Sequence, residues 1–440
     1  MLASFIDGDL IYRQHRFDVP LDYRRPEGST ISVFAREICD LACDNSDRPW
    51  LVYFQGGPGF PSPRPDSRSG WLKRALQQYR ILLLDQRGTG NSTVISHQTL
   101  APMTPEAQAD YLSHFRADNI VRDAELIRET LGVTQWAILG QSFGGFCALT
   151  YLSFYPQSLS RAFLTGGVPS LTRHADDVYT ATYQRVQDKN DAFFAQFPQA
   201  QAQCQKIADH LLAHDVRLPN GQRFTVEQFQ LIGINLGRSH ANLPMYYLLE
   251  DAFVTINGPD NAPHETLSYA FLNAMLAEQS HQTNPIYAIL HESIYCQDAA
   301  HNQSSNWSAH RVRDQFPQFH YQTGRDFFFT GEMVYPWMFE QFTCLTPLKA
   351  AAQLLAEKAD WPALYDIDAL AHNTVPVTCA VYAEDMYVEL AYSQETLKGI
   401  PNSKAWITNE YEHNGLREAG ERILDTLINM GDAIAHLPAK

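Results

Sequence analysis

No stretch of this 440-residue chain stays apolar for the length a membrane-spanning helix needs. Cysteine is scarce, with seven in the whole chain, so no disulfide framework is expected to hold the fold together. Cys39 and Cys43 lie close in sequence, but no second pair and no His cluster completes a zinc site beside them. We therefore expect reduced thiols, a cytoplasmic location, and no metal or organic cofactor. Positive charge is also in short supply: 33 Lys and Arg stand against 49 Asp and Glu, a net charge of −16. Such a surface argues against nucleic acid and anionic membranes as partners, while it suits solubility and tolerates cationic small substrates. The first residues, MLASFIDGDLIYRQHRF, lack the basic-then-apolar pattern of a secretory leader. Internal repeats and low-complexity tracts are absent too.

What is present is ordinary globular material, 45% hydrophobic and 19% charged, in a chain too long for one ordinary domain. Residues 10–23 and 30–38 read as two strands separated by the turn-rich RRPEGS. PWLVYFQ, RILLLDQ and QWAILG are short continuous apolar runs, each ending near glycine or a polar loop. Runs of that kind with helices between them indicate parallel strands buried on both faces. In DNIVRDAELIRETLG, residues Ile120, Leu126, Ile127 and Leu131 fall roughly on one helical face, and Gly132 stops the helix. From about Ser170 to Thr343 the pattern becomes helical and rich in Tyr, Phe and His. Strand signals return at TVPVTCAVYAED and SKAWITN, before a closing helix. The expected architecture is an α/β core (residues 1–169 and 344–440) with a mostly parallel central sheet. A large helical cap (residues 170–343) is inserted before the late strands.

Gly140-Gln141-Ser142-Phe143-Gly144 matches G-x-S-x-G at a strand-to-helix junction. A sharp turn there projects the serine Oγ away from the sheet and aims helix N-terminal amides at a developing oxyanion. Ser142 is the candidate nucleophile. The oxyanion donors expected with it are the Phe143 N–H and an amide of the Gly-rich YFQGGPGF loop, for which we choose Gly57 over Gly56. In LLLDQRGTGNST, Asp85 and Arg87 could pair with each other and brace the loop beside the nucleophile. A serine needs a base, and the base an orienting carboxylate, in the chain order Ser, Asp or Glu, His. His413, after the last expected strand, is the candidate base. Asp385 is the candidate acid, with its neighbour Glu384 as the fallback.

Taken together these motifs resemble the proline iminopeptidase (prolyl aminopeptidase) family of α/β-hydrolase serine peptidases. That family shows an H-G-G-P-G loop, a D-Q-R-G-x-G-x-S segment and a G-x-S-W-G-G elbow. Here they read Gln55-Gly56-Gly57-Pro58-Gly59, Asp85 to Ser92, and Gly140 to Gly145. The resemblance covers residues 17–168 and 376–416. Gln55 stands where His is usual and Phe143 where Trp is usual; both look like the larger-bodied branch of the family. The resemblance implies release of an N-terminal proline from peptides through an acyl-enzyme, on an α/β-hydrolase fold. Peptides with a free N-terminal proline are the implied partners. A cationic imino terminus beside Ser142 calls for carboxylates, because a desolvated ammonium needs charge-assisted hydrogen bonds. In the family the insertion supplies two such glutamates and aromatics around the ring. By that resemblance Glu292 and Glu332 are assigned to the ammonium, with Glu250 in reserve. Tyr295, Tyr335, Phe328 and Trp337 are candidates for the ring pocket.

Two rivals remain on the same residues. A broader aminopeptidase or esterase could use the core without the cap carboxylates. A non-catalytic binding protein could keep the fold, but it has no need of a complete set of triad candidates.

Overall fold

The computed structural model describes residues 2–44, 46–258, 262–297 and 304–435. The chain opens with β1 (Ala3–Asp7), β2 (Leu10–Pro20) and β3 (Thr30–Asp40), then β4 (Trp50–Phe54) and β5 (Arg80–Asp85). β6 (Trp136–Gln141) and β7 (Leu159–Thr165) follow, and β10 (Val377–Tyr382) and β11 (Ser403–Thr408) close the sheet after a long excursion. These form one nine-stranded sheet in the order β1-β2-β3-β5-β4-β6-β7-β10-β11. From β5 to β11 every pairing is parallel; β1, β2 and β3 add an antiparallel flank. The edge strand β1, exposed along its length, lies outside the sequence expectation.

Alternation along the strands sorts the core into two layers. Val52, Phe54, Leu82, Leu84 and Ile138 face one side, where they pack with Ile120, Val121, Ala124 and Ile127 of one helix and Phe146 to Leu149 of another. Leu51, Tyr53, Ile81, Leu83, Ala137 and Leu139 face the other, against Leu72 and Leu76, and Ile423, Leu424 and Leu427 of the last helix. The continuous apolar runs in the sequence are thus explained: both faces of these strands are covered. The helix Ala117–Thr130 buries Ile120 and Ile127 as expected, but the stripe is completed by Val121 and Ala124; Leu126 and Leu131 are only partly covered.

Between β7 and β10 the chain leaves the sheet. It forms the paired helices Ala175–Gln196 and Pro198–Ala213 and a run of short helices. A small hairpin, β8 (Phe253–Asn257) with β9 (Pro263–Leu267), was not visible in the sequence. Most of its residues are exposed, so they carry no buried-strand signal. Helices Lys349–Glu357 and Ile367–Ala371 already lie back against the core helices Pro105–Ser113 and Phe143–Phe154.

Candidate active site

Ser142 stands at the turn between β6 and the helix Phe143–Phe154 (hereafter α1), with φ 55° and ψ −125°. A non-glycine residue in that region costs energy and is held only by its surroundings. They hold it tightly. A side chain at Gly144 would run into the Phe54 carbonyl, and one at Gly145 into the Gly167 carbonyl. The small residues after Ser142 are therefore required by the close approach of α1 to the strand ends.

His413 Nε2 lies 2.8 Å from Ser142 Oγ, and His413 Nδ1 lies 2.7 Å from Asp385 Oδ2. The other oxygen, Asp385 Oδ1, accepts from the Tyr387 and Val388 amides at 2.8 and 3.1 Å. These contacts fix the carboxylate and leave Oδ2 for the imidazole, so Nδ1 carries the proton and Nε2 faces the serine as an acceptor. Burial alone would lower the His413 pKa. The charge of Asp385, its hydrogen bond and the more distant Glu332 carboxylate outweigh that and raise it above 6.5. Glu384, the fallback acid, instead points its side chain to solvent, 3.9 Å from Lys189 Nζ.

The Gly-rich loop passes beside the serine, and a Cβ at Gly56 would stand 2.9 Å from that of Ser142. Gly57 has φ +131° and precedes a cis peptide to Pro58. The loop is braced from the DQRGTGNS segment, though not as the sequence suggested. Asp85 and Arg87 do not pair with each other. Asp85, fully buried, accepts from Ser62 N–H and Oγ, from the Asn91 amide and from Arg64. Arg87 reaches to Asp123 on the helix Ala117–Thr130 and to the carbonyls of Pro20, Leu21 and His114. Gln86 Nε2 donates to the Gln55 carbonyl at 3.0 Å, and the Tyr53 hydroxyl to Gln55 Oε1 at 3.1 Å. The second motif is a scaffold for the first.

Ser142 and His413 open onto a cavity of about 680 Å³, lined also by Gly56, Gly57, Phe60, Tyr287, Tyr387, Arg238 and Glu332. A second cavity of about 300 Å³ shares Ile234, Arg238, Tyr287 and Glu332 with it. Glu332 is half-buried, and its Oε1 accepts from the Tyr287 hydroxyl at 2.7 Å. Burial and this carboxylate push the Tyr287 pKa well above 10.0. Neither Tyr287 nor Tyr387 was selected from the sequence. Tyr387 follows the acid by two residues, and Tyr287 lies among apolar neighbours that hide it.

The structure brings only one of the two expected glutamates to the cavity. Glu292 is buried away from its wall, and its oxygens accept from the Ser308 and Ala309 amides at 3.0 and 2.9 Å, capping a helix start. Burial raises its pKa above 4.5 despite those donors. Tyr335 is fully buried in the cap, its hydroxyl 2.9 Å from that of Tyr183. Tyr295 packs between Phe146 and Tyr179 at the seam of cap and core. Glu250 is exposed at the end of the helix Asn242–Glu250. Phe328 and Trp337 are partly buried and pack against the apolar core. Among the described residues no group of three or more His, Cys, Asp and Glu could hold a metal ion, and no helix is long and apolar enough to cross a membrane.

A buried parallel sheet, a serine on a strained elbow and a Ser–His–Asp relay at the carboxyl ends of the strands define an α/β-hydrolase. The family described as alpha/beta hydrolase fold matches residues 49–289. A proline iminopeptidase of Aeromonas sobria is 60% identical over 418 residues, covering 94% of this chain and 95% of its own. A proline iminopeptidase of Aspergillus aculeatus is 34% identical over 427 residues, covering 94% and 92%. A tripeptidyl aminopeptidase of Streptomyces coelicolor is 27% identical over 177 residues, 32% of each chain. The chain belongs to the proline iminopeptidase family of α/β-hydrolases.

Proposed function

We propose that the protein is a serine aminopeptidase that releases N-terminal proline from peptides through an acyl-enzyme. The observation that carries this reading is one cavity lined at once by Ser142, His413 and the Glu332 carboxylate. Ser142 Oγ attacks the first peptide carbonyl while His413 Nε2 takes its proton. Asp385 holds the imidazole in the required tautomer and stabilises the imidazolium that forms. The Phe143 and Gly57 amides hold the oxyanion; Phe143 N–H is the first of α1 and precedes its internal ladder. His413 then gives the proton to the leaving amine, and water attacks the acyl-enzyme by the same route in reverse. Glu332 takes the substrate ammonium and so fixes how far the scissile bond lies from the chain's amino end.

The test is steady-state kinetics on Pro, Ala, Leu and N-blocked Pro arylamides, with Ser142→Ala as control. Turnover of Pro that is lost on blocking the nitrogen and in the variant is the expected result. Turnover of the blocked substrate would place the protein among esterases or other serine hydrolases. Failure of folded protein to react with a fluorophosphonate at Ser142 would favour a binding protein.

A further inference from the structure

The cap segment that carries Arg238 is fastened to the loop that carries His413. The His413 amide donates to the Gly237 carbonyl at 3.2 Å, and the Ser239 amide to Asn414 Oδ1 at 2.8 Å. The Glu412 amide donates back to Ser239 Oγ at 3.0 Å. Three residues before Gly237, the Tyr387 hydroxyl donates to the Ile234 carbonyl. Gly237 has no room for a side chain, since a Cβ there would collide with Tyr387 and Met386. The backbone of Arg238 is therefore registered against the base on both sides.

Its side chain is exposed and lines both cavities, together with Glu332 and Tyr287. Among the described residues its guanidinium has no ion pair and no hydrogen bond. A guanidinium presents five donors suited to a carboxylate, and this one is left open to the cavity. Of the charged side chains on the larger cavity, Asp66, Glu332, Arg238 and Arg417, only Glu332 and Arg238 also line the smaller one, and these two do not pair with each other. A short zwitterion complements that pattern. In an extended dipeptide the two charged ends are separated by about 7 Å, at roughly 3.5 Å per residue. Each further residue carries the carboxylate away by the same step.

We propose that Arg238 binds the C-terminal carboxylate of short peptides, making dipeptides with a free carboxyl end the favoured substrates. This rests on the aminopeptidase reading above. The other guanidinium on the larger cavity, Arg417, follows the base loop in the helix Gly415–Glu418 and does not line the smaller cavity, which Glu332 and Arg238 also reach. It supplies the comparison variant.

The experiment measures kcat/KM for Pro-Gly, Pro-Gly-amide, Pro-Gly-Gly and a Pro arylamide at low ionic strength. The proteins are wild type, Arg238→Gln, Arg238→Lys and Arg417→Gln. The quantity read is the ratio of Pro-Gly to Pro-Gly-amide in each protein. Removing Arg238 also changes the field at His413, but that acts on both substrates and cancels in the ratio. The ratio is expected to fall about three- to tenfold in Arg238→Gln, as for a charge-assisted contact at a partly exposed site. Arg238→Lys should recover part of it, Arg417→Gln should leave it unchanged, and added salt should erode it in wild type. The preference should also weaken in Pro-Gly-Gly. A ratio unchanged by Arg238→Gln, or abolished instead by Arg417→Gln, overturns the assignment while leaving the aminopeptidase reading intact. No turnover of the Pro arylamide by wild type overturns both.

Discussion

Glu332→Gln is the substitution that most directly tests how the cavity selects its substrate. Glutamine keeps the shape and keeps an acceptor for the Tyr287 hydroxyl, which donates to Oε1 at 2.7 Å. What it removes is the charge. A hydrogen bond to a charged group contributes about 1.5–3 kcal/mol. Glu332 is half-buried, which puts it in the middle of that range. Loss of about 2 kcal/mol in transition-state binding lowers kcat/KM for a Pro arylamide roughly 30-fold. An uncharged ester such as p-nitrophenyl acetate should lose little, and the melting temperature should hold, because no buried contact is broken. A second signature comes from His413. The Glu332 charge is among the causes that raise its pKa, and the base must be neutral to accept the Ser142 proton. Removing the charge lowers that pKa, so the acid limb of kcat/KM against pH moves to lower pH, for ester and arylamide alike. Equal losses on ester and arylamide would mean that Glu332 only supports the fold. No loss on the arylamide would mean that the ammonium is held elsewhere.

Asp385→Asn removes the acceptor that orients His413 Nδ1–H, and kcat should fall by about 10⁴-fold with fluorophosphonate labelling of Ser142 slowed in parallel. A loss of tenfold or less would point to a different acid. Arg87→Ala strands Asp123 without its partner inside the core, where burial already raises the Asp123 pKa. Breaking a buried pair this way costs about 3–5 kcal/mol, which denaturant unfolding would read directly. A cost below 1 kcal/mol would show that water reaches the site. Glu37 is buried; burial would raise its pKa, but His15 and Arg80 hold it down at about 2 against 4.5. Because the folded pKa is depressed, the stabilisation is present above pH 4.5 and is lost as pH falls from there through about 2. The full loss is on the order of 3 kcal/mol; acid unfolding of Glu37→Gln should lack that part of the pH dependence.

The sheet and the elbow were legible because their signals are local. A strand buried on both faces must be apolar throughout, and PWLVYFQ, RILLLDQ and QWAILG are. An elbow must have small residues where a helix closes on strand ends, and Gly144 and Gly145 are there. What was not legible is direction. Glu292 and Glu332 sit in similar apolar and aromatic surroundings in the sequence, and that setting says only that each carboxylate is covered. One turns to the first amides of a helix starting sixteen residues later, the other to the cavity. Asp85 and Arg87 look like partners at a separation of two, yet each chooses a partner far away, Arg64 and Asp123, separated from them by 21 and 36 positions. A strand end explains the choice: alternate side chains point to the same face, but past Asp85 the chain turns, and the two groups leave on different sides. The same limit hid Arg238. Nothing in its neighbourhood marks it as chemical, and it becomes so only because Gly237 and Ser239 tie the cap to the loop around His413. The chain order of the triad can be read from the core alone. The groups that choose the substrate come from the insertion, and their placement depends on where it meets the core.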